Sequence, residues 1–212
     1  SRFAKNSLLN TLDNLAKAGI QDQIEGGFFK FSYDKKWNDP ELEKSLVDNA
    51  QLISVFSKVY KRYKLPHYEK TIKNTIQYLE STLENEKGYF SMGQIAITPK
   101  QERYYELKKE DIDQSFYLNK ELISTYFSLT STENKMDIPF LTGTDISFSN
   151  ENGIALDSLS KKIPKWRSKL SENRKKYEVP VINKAVIVAD NALMVSAYLD
   201  AYSALNNDAY LE

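Results

Sequence analysis

Two stretches of the chain carry side chains suited to acid–base chemistry: Glu43, Lys44, Asp48 and Asn49 in one, Asp190 and Asn191 in the other. Glu43 and Asp48 are the candidate catalytic residues, either one as acid or base, because paired carboxylates run glycoside chemistry. Lys44, Asn49, Asp190 and Asn191 are candidate substrate contacts beside them. The competing reading is structural. An Asp-Asn pair at a helix start caps or cross-links neighbouring helices, since a buried polar group must find partners. Glu41 with Lys44, and Lys44 with Asp48, also have the spacing of surface helix pairs. Tyr33 and Trp37, with Phe29 and Phe31, offer ring faces to a sugar or to adjacent helices. Arg103 with Tyr104 and Tyr105 offers an anion or hydroxyl contact, or else a core strand with a surface arginine.

Composition closes off several other chemistries. The 212 residues contain no Cys and one His, His67, so thiolate sites, Cys nucleophiles, His pairs and multi-His metal sites within this chain are excluded. No cofactor is expected. Lys+Arg and Asp+Glu both count 29, so no net field draws nucleic acid or an anionic membrane, and neither is an expected partner. No apolar run approaches the roughly 20 residues that span a bilayer. No secretory signal is visible, and the compartment is left open, with the cytoplasm as the favoured expectation. Tyrosines number 14 against 10 phenylalanines, a balance that suits a wet, sugar-binding surface and equally a polar-rimmed core.

The elements that position the candidates come from periodicity and caps. A helix opens the chain, with Phe3, Leu8, Leu12 and Leu15 on one stripe and Gly19 as its stop. Gly26-Gly27 permits a tight turn, and Phe29, Phe31 and Tyr33 alternate with Lys30 and Ser32 as a hairpin would. Asp39-Pro40 has the form of an N-cap and N1 pair, which predicts a second helix from there to about Tyr63, ended by Pro66. A third follows over Tyr68–Leu83. Short strands are expected at Tyr89-Phe90, 95–97 and Tyr104-Tyr105. Short helices follow near 109–116 and 118–128, then a loop-rich stretch over 130–155 with a strand at 145–148. A helical pair spans 156–163 and 164–177, and Asp190–Leu205 is a strongly apolar helix. Residues 208–212 read as the start of another. Asp48–Ser54 returns as Asp190–Ser196, 142 residues later, and the match continues through Phe56/Tyr198, Tyr60/Tyr202 and Tyr68/Tyr210. These are read as two equivalent helices of a repeating architecture.

The order Gly19-Ile20, Asp22-Gln23, Gly26-Gly27-Phe28, Trp37, Pro40, Glu43-Lys44, Leu46 and Asp48-Asn49-Ala50-Gln51-Leu52 resembles a widespread, poorly characterised family of spermatogenesis-associated type. Arg103-Tyr104-Tyr105, the basic run Lys169–Lys176, Pro180, Lys184, Asn191 and Leu193-Met194 continue the resemblance. Family members join a thioredoxin-like domain to a helical toroid similar to the (α/α)6 rings of N-acylglucosamine 2-epimerases and six-hairpin glycosidases. The resemblance therefore implies a mainly α fold, an incomplete (α/α)6-toroid-like set of helical hairpins with small β insertions near 26–33 and 88–107. Residues 1–212 are expected as one helical domain, about half of a toroid or a fragment of a longer protein. In such rings the starts of inner helices face a central cavity, which would place Glu43, Asp48 and Asp190 at a sugar. Departures stand at Glu41-Leu42, where the family usually has His, at Asp190 in place of Trp, and at Ala192 in place of Gly. Epimerases of the wider superfamily use His residues as acid and base, and nothing in this chain fills that role, which weakens an epimerase assignment. The implied function is a carbohydrate-related domain that binds or processes a sugar, through carboxylates if it is an enzyme. The alternatives are a catalytically silent interaction or structural module, or the non-catalytic half of a longer enzyme. Implied partners are a small sugar, the remainder of the toroid and a thioredoxin-like domain.

Overall fold

A computed structural model describes residues 2–129 and 137–211. Among the described residues the elements run α1 (Arg2–Lys17), β1 (Glu43–Ser45), α2 (Leu46–Tyr63), α3 (Pro66–Thr82), β2 (Gly93–Ile95), α4 (Pro99–Tyr105), α5 (Lys109–Ser115), α6 (Lys120–Tyr126), α7 (Asp145–Glu151), α8 (Leu156–Arg174), β3 (Val181–Asn183) and α9 (Val188–Leu205), closing on a 3-10 turn at Asp208–Tyr210. Among these residues the fold is mainly α with one small sheet. It divides into two compact units. One comprises Ser1–Glu25, Phe31–Glu41 and Ile97–Pro180; the other comprises Gly26–Lys30, Leu42–Ala96 and Val181–Glu212.

In the first unit, apolar side chains from α5, α6, α7, α8 and the loops beside them close a core: Ile24, Leu107, Ile112, Ile123, Tyr126, Phe127, Phe148, Leu159, Ile163, Trp166 and Leu170. The expected helical pair at 156–177 is one helix, α8, which runs through Pro164. A proline there removes a backbone bond. Leu159, Ile163, Trp166 and Leu170 nevertheless recur at i, i+4, i+7 and i+11 and are all buried, so packing of that face overrides the break. The strand expected at Tyr104-Tyr105 is the end of α4, which Thr98 starts by accepting the Gln101 N–H, with Pro99 at the first helical position. The strand expected at 145–148 is α7, capped in the same way by Thr144. The 130–136 part of the expected loop lies outside the described residues. On α1 only Leu12 and Ala16 are buried, while Phe3 is exposed.

In the second unit β2 is the centre of an antiparallel sheet in the order β1-β2-β3, pairing Lys44 with Gln94 and Gln94 with Ile182. A side chain at Gly93 would lie 2.6 Å from the Lys44 carbonyl oxygen, so only glycine lets β1 approach. The second helix starts at Leu46, not at Asp39-Pro40, because residues 43–45 pair with β2 and Ser45 provides the cap. Pro66 does not end that helix; it occupies the first turn of α3, after Lys64 has closed α2 in the left-handed conformation. Residues 26–33 form no hairpin of their own: the Lys30 N–H bonds to the Glu43 carbonyl, and Ser32 bridges to Pro40. Tyr89-Phe90 contributes a single bridge, Phe90 to Glu84, and β3 had no counterpart in the expected elements. The 208–212 stretch makes a 3-10 turn at Asp208–Tyr210, and Glu212 lies outside the described residues. α2 packs against both α3 and α9.

Candidate functional site

The start of α2 gathers four of the candidate residues. Its N-cap, Ser45, sits in extended conformation and accepts the Asp48 N–H, and its hydroxyl bonds the Asp48 carboxylate. Next to it the Asn49 side chain is fully buried. Its Oδ1 accepts the Phe28 N–H at 2.7 Å, and its Nδ2 donates to the Phe28 carbonyl at 3.0 Å and the Ser45 carbonyl at 2.8 Å. The amide thus stands in for a strand neighbour to one residue of backbone. Lys44 is closed from solvent. Its Nζ donates to the Gly26 carbonyl at 2.9 Å and lies 4.2 Å from the Tyr78 ring centre and 5.0 Å from that of Phe29. Such contacts hold a buried ammonium in place. Glu43 points to Lys30, 3.1 Å away, on the partly exposed face of β1.

At the start of α9 the pattern repeats. Asn191 accepts the Phe90 N–H at 2.9 Å and donates to the Phe90 carbonyl at 3.0 Å and the Ile187 carbonyl at 3.0 Å. Both helices also end alike. Lys64 and Asn206 are left-handed caps, with N–H groups that return to Tyr60 and Tyr202. Asp190 is partly exposed in the first turn of α9.

The other candidates lie in the first unit. Tyr33 is exposed and hydrogen-bonded to Glu41. Trp37 is half-buried at φ 61°, its carbonyl accepting the Ile20 N–H. Arg103 Nη2 reaches Asp111 at 2.8 Å and the Tyr177 hydroxyl at 2.7 Å. Tyr104 donates to the Glu25 carboxylate at 3.0 Å, and burial, then the Glu25 charge, raise its phenol above the ordinary tyrosine range.

Sequence reasoning passed over two ionic networks around these side chains. Arg174 is buried and forked onto Asp22, with Nη1 to Oδ2 at 2.7 Å and Nη2 to Oδ1 at 3.0 Å, while Nη1 also meets Glu25 at 3.1 Å. Burial works against its charge, but the two carboxylates outweigh that and raise its pKa. Asp111 gathers the Tyr177 hydroxyl at 2.6 Å, Arg103, the Lys108 N–H and Lys176. Burial opposes its charge, yet these bonds, Tyr177 and Arg103 first, bring its pKa down to about 2. Asp22 and Arg174 are 152 residues apart, so spacing could not pair them. Only the motif resemblance marked both regions.

The second unit also holds a cavity of about 1000 Å³ along α9, with Glu80, Glu84, Tyr89, Tyr198 and Tyr210 among its lining and Val188, Val195 and Leu199 on its apolar side. The Tyr198 hydroxyl donates to Glu80 at 3.0 Å, and burial, then the Glu80 charge, raise its pKa. Neither glutamate was among the expected site residues, because both occupy exposed-looking positions, one late in α3 and one just after it. Among the described residues no group of three or more His, Asp or Glu is placed to hold a metal ion. Among those same residues, no helix is long and apolar enough to cross a membrane.

No family model matches the chain. It is similar to spermatogenesis-associated protein 20 of Homo sapiens, 24% identical over 234 residues that cover 97% of this chain and 30% of that protein. The mouse protein of the same name is 34% identical over 96 residues, 45% of this chain and 12% of that one. An uncharacterised protein of Caenorhabditis elegans is 22% identical over 244 residues, 100% of this chain and 33% of its own length. The chain thus spans about a third of the relatives that match it throughout. Among solved structures, a D-mannose isomerase is similar with a TM-score of 0.37 and 19% identity, over 98% of this chain and 50% of that one.

Proposed function

We propose that this chain is a framework segment of a larger α/α helical domain of carbohydrate-related type, and that it is catalytically silent by itself. The observation that carries the reading is the paired use of Asn49 and Asn191. Each clamps the N–H and carbonyl of one phenylalanine and ties it to the start of a helix. A residue that serves the repeat twice in the same way is a fastener. Glu43 and Asp48 fit the same role, one beside Lys30 and the other beside the Ser45 cap. The carbohydrate part rests on the motif resemblance, and the acid and base of any sugar chemistry are assigned to residues outside this chain. The remainder of a toroid and a thioredoxin-like domain are the proposed partners in the longer polypeptide.

A second reading is sugar binding in the cavity of the second unit, favoured by Glu80, Glu84 and the tyrosines beside them. Ligand-observed NMR with a mixture of monosaccharides and the 212-residue chain separates the two. The framework reading expects no saturable transfer at millimolar sugar. Saturable transfer that Glu80→Gln abolishes, with the far-UV spectrum unchanged, would replace it with the second.

A further inference from the structure

The repeat that relates α2 to α9 also shows what is missing beside α9. On α2, Leu46, Ala50, Ile53 and Ser57 are all closed from solvent, with α3 and α9 packed on that helix. Their equivalents 142 residues on are Val188, Ala192, Val195 and Leu199. Val188 is 83% exposed, Val195 61% and Leu199 53%, and Ala192 is exposed as well. The clamped backbone shows the same contrast. Beside Phe28, a side chain at Gly26 would lie 2.3 Å from the Asn74 carbonyl oxygen and one at Gly27 2.4 Å from the Tyr78 ring, both on α3. Beside Phe90, a side chain at Gly88 would meet nothing closer than Glu84 at 3.9 Å. The stretch leading into α3 has its counterpart too. Tyr68 packs edge-on to Phe56, with ring centres 5.4 Å apart, and Tyr210 packs beside Tyr198 at 6.1 Å. The cavity of about 1000 Å³ is bounded by these pieces: Gly88–Phe90, Asn191, Val195, Tyr198 and Tyr210.

We propose that this cavity is the seat of an amphipathic α-helix that continues the polypeptide from the Asp208–Tyr210 turn and covers α9 as α3 covers α2. The inference rests on the framework reading and names the partner of this face. α3 supplies the pattern expected of the occupant. Ile72, Ile76 and Leu79, buried at four, eight and eleven positions after Tyr68, predict apolar residues at the same distances after Tyr210. The occupant is a helix of the same chain, since Tyr210 already stands where Tyr68 stands in the first turn of α3.

The chain contains no cysteine, so a single introduced thiol reports cover. Val195→Cys is placed on the bare face, and Ser168→Cys, exposed on α8, is the control. Maleimide labelling is timed in the 212-residue chain and in the natural polypeptide carried on past Glu212 by one helix of α3's length, 17 residues. The expected result is labelling of the Val195→Cys variant slowed at least tenfold in the longer form, with the rate of the Ser168→Cys variant unchanged. Equal rates for the Val195→Cys variant in both forms overturn the proposal. Protection that is already present in the 212-residue chain and grows with its concentration assigns the face to a second copy, and also overturns it. The framework reading fails separately, by saturable sugar binding, whatever the labelling rates show.

Discussion

Replacing Asn49 with alanine tests the clamp at its most buried copy. The wild-type side chain makes three hydrogen bonds, to Phe28 N–H, Phe28 carbonyl and Ser45 carbonyl, with no exposure to solvent. The Ser45 carbonyl lies at a helix start, where the helix itself bonds it, so the loss there is small. The Phe28 N–H has no water to turn to, and an orphaned buried donor costs about 1–3 kcal/mol. Adding the weakened Phe28 carbonyl and the lost side-chain packing, Asn49→Ala should destabilise the second unit by about 2–4 kcal/mol. Asn191→Ala removes the same set of bonds at a half-exposed position, where water can substitute, and should cost about 0.5–1.5 kcal/mol. Both tryptophans, Trp37 and Trp166, lie in the first unit. The assay is therefore urea unfolding followed by far-UV circular dichroism. If Asn49→Ala stays within about 0.5 kcal/mol of wild type, or if the two variants cost the same, the burial argument is wrong.

Other outcomes follow from the remaining geometry. Arg174→Met strands Asp22 in the buried core of the first unit and should cost about 3–5 kcal/mol, read from the urea midpoint. Arg174→Lys should recover only part, since an ammonium cannot make the forked contact. Asp111 has a lowered pKa, so its ionic bonds stabilise fully above its ordinary value of 3.8 and that contribution fades as pH falls toward 2. Asp111→Asn should therefore lower the melting temperature clearly at pH 7, and the gap from wild type should close between pH 4 and 2. Gly88→Ala should cost only the left-handed backbone strain, about 1–2 kcal/mol, whereas Gly26→Ala should cost more because its new side chain strikes Asn74. Equal unfolding midpoints for the two glycine variants would remove the contrast between covered and bare turns.

The helical repeat was legible because it is local and periodic. The Asp-Asn-Ala echo falls on α2 and α9, with Tyr60 and Tyr202 inside them, while Tyr68 lies in α3 and Tyr210 in the closing 3-10 turn. Element starts were less legible. Asp39-Pro40 has the chemistry of a helix cap, but pairing of residues 43–45 with β2 takes the chain past it to Ser45. That pairing depends on Gly93, about fifty residues away, and no window around Pro40 contains it. Pro164 looked like a boundary because local propensity cannot weigh four buried side chains against one lost bond. Among the candidate site residues, Asn49 and Asn191 were read as substrate contacts, with capping or cross-linking as the competing structural role. Their bonds to Phe28 and Phe90 needed the fold. The Arg174 fork was hidden for the same reason, since its carboxylates come from the other end of the sequence.

Amide hydrogen exchange at Phe28 and Phe90, resolved residue by residue, tests most directly whether the Asp-Asn helix starts are fasteners. Both amides should be protected in the wild-type chain. Asn49→Ala should release Phe28 while leaving Phe90 protected, and Asn191→Ala should do the reverse. Phe28 and Phe90 amides that exchange in the wild type as fast as exposed loop amides would contradict the clamps, and with them the framework reading of this chain.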